Sequence, residues 1–156
     1  MKKYLLATAI GLSLAACSKA DDEDVTPIAI TSAFDQNFSL NYRQQASLPS
    51  SSQPELTVAV EELDYTFCPK NAYCILADFA NPTLGVTDRG GQTQQVKFLM
   101  PGRTTNYPDW MDTTSVRANG KRYVFYYIMY NVKAGCDNPG KEDISVKLRI
   151  TEPTNK

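Results

Sequence analysis

Apolar and polar residues alternate with a period of two along much of the chain, which is the pattern of half-buried β-strands. The clearest runs lie at 38–42, 56–67 and 144–150. No segment keeps the period of 3.6 residues that an amphipathic helix requires. We therefore predict an all-β domain. Its further strands are predicted at 28–30, 74–80, 83–87, 94–99, 115–117 and 123–132.

Turn-forming residues separate these runs. Asn119-Gly120 is the strongest short-range signal for a β-hairpin, and Asn81-Pro82 is expected to end one strand before the next begins. Residues 46–54 and 101–113 are predicted loops, and the second is the longest. About eight short strands with long, uneven loops predict an antiparallel β-sandwich, immunoglobulin-like or similar, over residues 28–153.

The first 16 residues have the composition of an export signal. Two lysines precede an apolar stretch at 4–16, which is too short for a membrane-spanning helix of about 20 residues. The stretch ends in Leu14-Ala15-Ala16-Cys17, which resembles the lipobox of bacterial lipoproteins. The resemblance implies that 1–16 is a signal peptide cleaved before Cys17. It also implies attachment of diacylglycerol, with acyl chains such as palmitate, to the Cys17 thiol, which would anchor the mature chain in a membrane.

Residues 17–27 form a polar segment with four consecutive acidic residues, from Asp21 to Asp24. Such a run has nothing to bury, and it predicts a solvated, disordered tether. Lys19 and the acidic run resemble the export signal of surface-exposed lipoproteins of the Bacteroides group. The resemblance implies an outer-membrane lipoprotein that faces the cell exterior. The alternative is a plain acidic spacer on a lipoprotein that faces the periplasm.

Composition narrows the classes of function. The chain has 16 Lys+Arg and 17 Asp+Glu, and removal of residues 1–16 with Lys2 and Lys3 leaves 14 against 17, a net charge of −3. Because the sequence shows no basic patch, nucleic acid is not an expected partner. Histidine is absent, which removes the commonest general base and the commonest metal ligand. We therefore expect a protein that is not an enzyme and that holds no cofactor and no metal.

Three cysteines besides Cys17 remain in the mature chain, which is expected to reside in an oxidising compartment. The short connection between Cys68 and Cys74 favours a local disulfide, worth about 2.4 kcal/mol through the entropy of the unfolded chain. The alternative is a bridge from Cys74 to Cys136, which requires two distant strand ends to meet. With the local bridge, Cys136 would be a free thiol or would pair with another chain. No Cys-x-x-Cys motif indicates redox activity, and three thiols alone are a poor metal site.

A second resemblance covers residues 37–80. Phe38-Ser39-Leu40, the strand that begins at Leu56, and Cys68-Pro69-x₄-Cys74-Ile75 are similar to a group of small, uncharacterised bacterial secreted β-proteins with a Cys-Pro-x₄-Cys staple. The flanks differ, because Tyr65-Thr66-Phe67 and Leu76-Ala77-Asp78 replace the residues that are usual in that group. The resemblance implies a sandwich-like β-domain and no particular activity.

Few residues are candidates for a functional site. Trp110, the only tryptophan, lies in the longest loop near Tyr107, where it would either cover the core or contact a ligand. Thr113, in Asp112-Thr113-Thr114, resembles an O-glycosylation acceptor of the same bacterial group. The run 123–132 is apolar on both faces, which predicts a central strand covered on each side, although exposed tyrosines there could bind sugars or protein. Acidic side chains at 109, 112 and 137 lack the spacing of a calcium loop.

The leading hypothesis is a lipid-anchored β-sandwich that binds a protein or glycan partner or contributes to the envelope, without catalysis. A small hydrolase that acts on glycans through two carboxylates is the first alternative, and it requires two acids about 5–9 Å apart in a cleft. A protease-inhibitor-like domain that presents the 101–113 loop is the second.

Overall fold

The computed structural model describes residues 27–98 and 109–152, which fold into two packed β-sheets. One 3₁₀ turn, Lys141–Asp143, precedes the last strand. The nine strands formed by the described residues are β1 (Ile30–Thr31), β2 (Asn37–Asn41), β3 (Gln45–Leu48), β4 (Leu56–Thr66), β5 (Phe79–Asp88), β6 (Thr93–Lys97), β7 (Asp112–Ala118), β8 (Lys121–Val132) and β9 (Ile144–Thr151).

The strands form a five-stranded sheet in the order β1-β3-β4-β5-β6 and a four-stranded sheet in the order β2-β9-β8-β7. Every pairing is antiparallel except that of β1 with β3, which is parallel. Alternate residues of each strand face the space between the sheets, where they form one hydrophobic core. The predicted all-β sandwich is therefore confirmed.

The core is dominated by three aromatic residues of β8. Tyr123, Phe125 and Tyr127 are fully buried, and each such side chain stabilises the fold by roughly 1.5–3 kcal/mol through burial. The Tyr127 hydroxyl donates a hydrogen bond to the carbonyl of Ala80 in β5, which joins the two sheets. Burial raises the pKa of Tyr127, so the phenol stays protonated and keeps this bond.

The predicted loop at 46–54 is wrong at its start. Residues 45–48 form β3, and Ala46 and Leu48 are both fully buried. Two buried positions are enough to fix the short strand against β4, although Gln45 before them and Ser47 between them give the segment a polar composition. The edge strand predicted at 28–30 is displaced to β1 at 30–31.

The predicted strand at 74–80 and the predicted break at Asn81-Pro82 are also wrong. Residues 74–78 are exposed and lie in a loop, whereas β5 runs without a break through both residues. Pro82 is tolerated because β6 pairs with residues 83–87, so that among the described residues β4 alone neighbours β5 at the level of Pro82. A proline costs no ladder bond where the second neighbour is missing.

The hairpin predicted at Asn119-Gly120 is confirmed, because both residues adopt positive φ, 50° and 72°, between β7 and β8. The strand before it is longer than predicted, and it includes residues 112–113 of the expected loop. The prediction that 123–132 is covered on each side is wrong. Strand β8 is central in its sheet, but Val124 and Tyr126 on its second face are only half-buried.

Candidate functional site

The outward face of the four-stranded sheet has the most distinctive surface chemistry in the described structure. Residues directly opposite one another form a row across all four strands, from Thr113 through Tyr126 and Arg149 to Asn37. A β-bulge next to Ile128 then turns Met129 outward, where it is 42% exposed. We call this surface the basic–aromatic face. It is defined by Trp110, Arg117, Arg122, Tyr126, Lys147 and Arg149.

The centre of the basic–aromatic face is an aromatic and guanidinium cluster. Trp110 packs edge-on against Tyr126, with ring centroids 5.1 Å apart and an interplanar angle of 67°. The guanidinium carbon of Arg149 lies 4.7 Å from the Tyr126 ring centroid, a cation–π distance. The Arg149 Nε is buried and has no hydrogen-bond partner among the described residues. Packing therefore holds the three side chains in place.

The outward face of the four-stranded sheet is basic, although the whole chain has slightly more Asp and Glu than Lys and Arg, 17 against 16. Its cations are Arg117, Arg122, Lys147 and Arg149, and none of them forms a salt bridge within residues 27–98 and 109–152. None of the outward positions of its four described strands is Asp or Glu. The outward face of the five-stranded sheet has the opposite balance, with Glu61, Glu62 and Asp64 against Lys97.

Trp110 lies against Tyr126 on the outward face rather than over the core. Thr113 is exposed in β7 directly opposite Tyr126, and its N–H donates a 2.7 Å hydrogen bond to the Asp112 carboxylate. Tyr107 and Cys17 lie outside the described residues. The sequence did not predict the basic–aromatic face, because its four cations come from three different strands. Alternation in 144–150, which puts Lys147 and Arg149 on one face, was the available signal.

The cysteines pair as the short spacing favours. Cys68 and Cys74 form a disulfide with their Cα atoms 5.8 Å apart, and Cys136 is a half-buried free thiol. Burial, and then a hydrogen bond with Asp143, raise the pKa of the Cys136 thiol. A raised pKa leaves little thiolate at neutral pH. The thiol therefore lacks the property that a nucleophilic or redox-active cysteine needs.

The loop closed by this disulfide lies at one end of the sandwich, which we call the stapled end (67–78 and 133–143). The Asp78 carboxylate accepts a 2.7 Å hydrogen bond from the Cys68 N–H, and Lys70 forms a salt bridge with Asp137 across the end. Tyr73 and Ile75 are fully exposed, and Leu76 is 67% exposed. An exposed apolar cluster of this kind is unusual on a protein surface, and no described residue covers it.

The other end of the sandwich, which we call the clamped end, is closed by a polar network around Glu55. Its carboxylate accepts hydrogen bonds from the Tyr123 hydroxyl and from the Lys121 Nζ, the latter at 2.7 Å. Lys121 also reaches Glu152 at 3.0 Å, and the Asn119 amide donates to the Glu55 carbonyl at 2.7 Å. The hydrogen bonds from Lys121 and then from Tyr123 lower the pKa of Glu55.

The network bears on the alternative hypothesis of a hydrolase that acts through two carboxylates. Glu55 and Glu152 approach the same lysine, but a general acid needs a raised pKa, and that of Glu55 is lowered. Glu61 and Glu62 diverge, since Glu61 accepts a hydrogen bond from Gln95 and Glu62 one from Lys141. Glu55 is therefore unsuited to act as a general acid, and Glu61 and Glu62 are held by different partners.

Other features of the described chain add little chemistry. Within residues 27–98 and 109–152, no cluster of three or more His, Cys, Asp or Glu side chains could hold a metal ion. An open pocket of about 290 Å³ next to the clamped end is lined by Gln53, Pro54, Thr57, Asp88 and Arg89. No helix among the described residues is long and apolar enough to span a bilayer.

No protein family matches this sequence, and neither a curated protein nor a solved structure matches it.

Proposed function

We propose that the protein is a lipid-anchored binding domain of the bacterial outer membrane, displayed toward the cell exterior. Leu14-Ala15-Ala16-Cys17 and the acidic run that follows support the anchor and the outward orientation. The sandwich is the part that binds, and it does so without catalysis. The absence of histidine and the lowered pKa of Glu55 support this part of the proposal.

The basic–aromatic face carries the proposal. Trp, Tyr and Arg are the residue types that contribute most to binding energy at protein interfaces, and here Trp110, Tyr126 and Arg149 pack into one cluster. Because that cluster is already ordered, little side-chain entropy remains to be lost on binding. The same face carries three further cations, Arg117, Arg122 and Lys147, and none of these or Arg149 forms a salt bridge among the described residues. The partner is therefore an anionic molecule, either an acidic protein segment or an acidic glycan of the envelope.

The anchor is tested by mass spectrometry of the N-terminal peptide of the mature protein. We expect the peptide to begin at Cys17 with the mass of a diacylglycerol thioether, and Cys17→Ser to abolish that mass. An unmodified N-terminus would overturn the anchor. Replacement of Asp21 to Asp24 by alanine should reduce cleavage by protease added to intact cells, and unchanged cleavage would overturn the sorting role of the acidic run.

The binding face is tested with a photocrosslinking residue at Ser115, which is exposed and faces outward. In intact cells it should capture an acidic envelope protein if the partner is a protein. If the partner is a glycan, the mature chain should instead bind an array of acidic polysaccharides, more weakly as salt rises.

Trp110→Ala, and separately Lys147→Gln, should weaken either kind of binding at least tenfold. The matched control is Lys97→Gln on the outward face of the five-stranded sheet, which should change it less than twofold. Equal effects of Lys147→Gln and Lys97→Gln would mean that general charge, rather than this face, attracts the partner.

A further inference from the structure

The stapled end has an exposed apolar cluster that the basic–aromatic face does not use. Tyr73 and Ile75 are fully exposed and Leu76 is 67% exposed. They are three of the five large hydrophobic residues that are exposed in the described chain, and they fall within four consecutive positions. Burial of large apolar side chains favours association, so a surface that covers all three would bind this loop.

The disulfide restricts the conformations of this loop. Cys68 and Cys74 close the chain just before Ile75, and Asp78 holds the Cys68 N–H. The loop is thus fixed at both ends, while residues 71–78 remain exposed. A fixed loop loses little conformational freedom when it meets a second surface.

The direction of strand β1 indicates which side of the domain the N-terminal residues approach. Strand β1 runs parallel to β3, from Ile30 beside Ala46 to Thr31 beside Ser47, and so points toward the clamped end. The residues before it therefore come from the direction of the stapled end. Gln44 fixes this course by donating a 2.7 Å hydrogen bond to the carbonyl of Ile28. Residues 27–29, which precede β1, therefore lie on the side of the domain where Tyr73, Ile75 and Leu76 are exposed.

Chain length agrees with this direction. From the level of Val60, where Gln44 pairs, the last six residues of β4 extend about 20 Å toward the stapled end. The ten residue steps from Cys17 to Pro27 span at most about 35 Å. An anchor at Cys17 can thus reach the bilayer with the stapled loop resting on it.

We propose that the loop 67–78, which the Cys68–Cys74 disulfide holds, inserts Tyr73, Ile75 and Leu76 into the interface of the membrane that holds the anchor. The inference rests on the proposed lipid anchor for its orientation. The contact is apolar rather than electrostatic, because Lys70 is paired with Asp137 and Asp78 is used by Cys68. A second attachment of this kind strengthens a lipid anchor and fixes the orientation of the domain.

The first test uses the mature chain from residue 17 with Cys17→Ser, and is therefore independent of acylation. It should cosediment with vesicles of neutral phosphatidylcholine, equally at low and high salt. The triple variant Tyr73→Ser/Ile75→Ser/Leu76→Ser should partition at least tenfold more weakly, with unchanged circular dichroism. Met129→Ser changes an exposed apolar residue beside the basic–aromatic face and is the matched control. Its vesicle partitioning should stay within twofold of that of the parent chain. Equal partitioning of the triple variant and the parent chain, or no partitioning of the parent, would overturn the inference.

The second test uses the acylated protein in phosphatidylcholine vesicles. In a Trp110→Phe background, the fluorescence of Tyr73→Trp should be quenched by brominated acyl chains, whereas that of Met129→Trp should not. Equal quenching at both positions would contradict the proposed orientation. Failure of the anchor itself would be seen separately, as an N-terminal peptide without the acyl mass.

Discussion

The two ends of the sandwich are closed by different means. At the clamped end, Glu55 gathers hydrogen bonds from Lys121 and Tyr123, and the end is held by non-covalent contacts that reach into the core. At the stapled end, the Cys68–Cys74 disulfide holds a loop whose residues 71–78 touch little else and stay exposed. The two ends therefore differ in what their ordered residues do. Those of the clamped end stabilise the fold, whereas those of the stapled end keep an exposed loop in a fixed position.

The largest expected effect is at the clamped end. Glu55→Ala should lower the free energy of unfolding by about 3 kcal/mol, because it leaves the Tyr123 hydroxyl and Lys121 without their shared acceptor. Urea titration followed by circular dichroism measures the loss. Glu61→Ala, at an exposed carboxylate bound only by Gln95 among the described residues, is the matched control and should change stability by less than about 0.5 kcal/mol. Similar losses in both variants would erase the distinction between the ends.

Removal of the staple should cost less and act locally. Cys68→Ser with Cys74→Ser should lower the free energy of unfolding by about 2 kcal/mol through the unfolded chain. Faster hydrogen exchange should be confined to the stapled loop, because residues 71–78 are exposed. Cys136→Ser, which removes the free thiol, is the control and should leave exchange unchanged. Faster exchange throughout β4 and β5 would show that the staple supports the core as well.

The two ends should also differ in their response to acid. The pKa of Glu55 lies below its ordinary value of 4.5 in the folded protein. Its contribution is therefore fully present above that value and is lost as pH falls through the lower, folded pKa. Stability measured between pH 6 and pH 3 should decline in the parent chain and decline less in Glu55→Gln. An identical decline in both would show that Glu55 does not dominate the acid response.

The smallest stability effect is expected on the exposed loop. Tyr73→Ser should change the free energy of unfolding by less than about 0.5 kcal/mol, because the side chain is fully exposed and contributes no packing. The same variant should weaken vesicle binding. A loss of stability as large as that of staple removal would instead assign this tyrosine to the fold.

Most of the fold follows from local alternation in the sequence. The runs at 38–42 and 144–150 become strands because every second residue enters the core. Prediction fails where tertiary context decides. Pro82 continues a strand because, in the part of the chain that the structure describes, β5 has a single neighbour at that level. The bulge next to Ile128 reverses the faces of Met129 and Tyr130. Neither the length of a neighbouring strand nor a bulge is encoded in periodicity.

The candidate sites were less predictable for the same reason. Trp110 could be singled out as a loop tryptophan, but its contact with Tyr126 depends on how the chain crosses between sheets. The apolar residues Ile75 and Leu76 were predicted to begin a strand, but they lie in an exposed loop. The sequence alone does not show whether another strand pairs with them. Exposure depends on such non-local pairing, and binding surfaces are defined by exposure.

The parallel course of β1 beside β3 also has a mechanical consequence. If Cys17 is anchored, any drag on the domain enters at Ile30 and acts along the strand axis. The bonds joining β1 to β3, with those from Gln44 to Ile28 and from Ser32 to Ser47, are then loaded together in shear rather than opened one at a time. A short edge strand loaded in this way resists detachment better than its length suggests. If the tether left at the clamped end instead, the same bonds would break one after another.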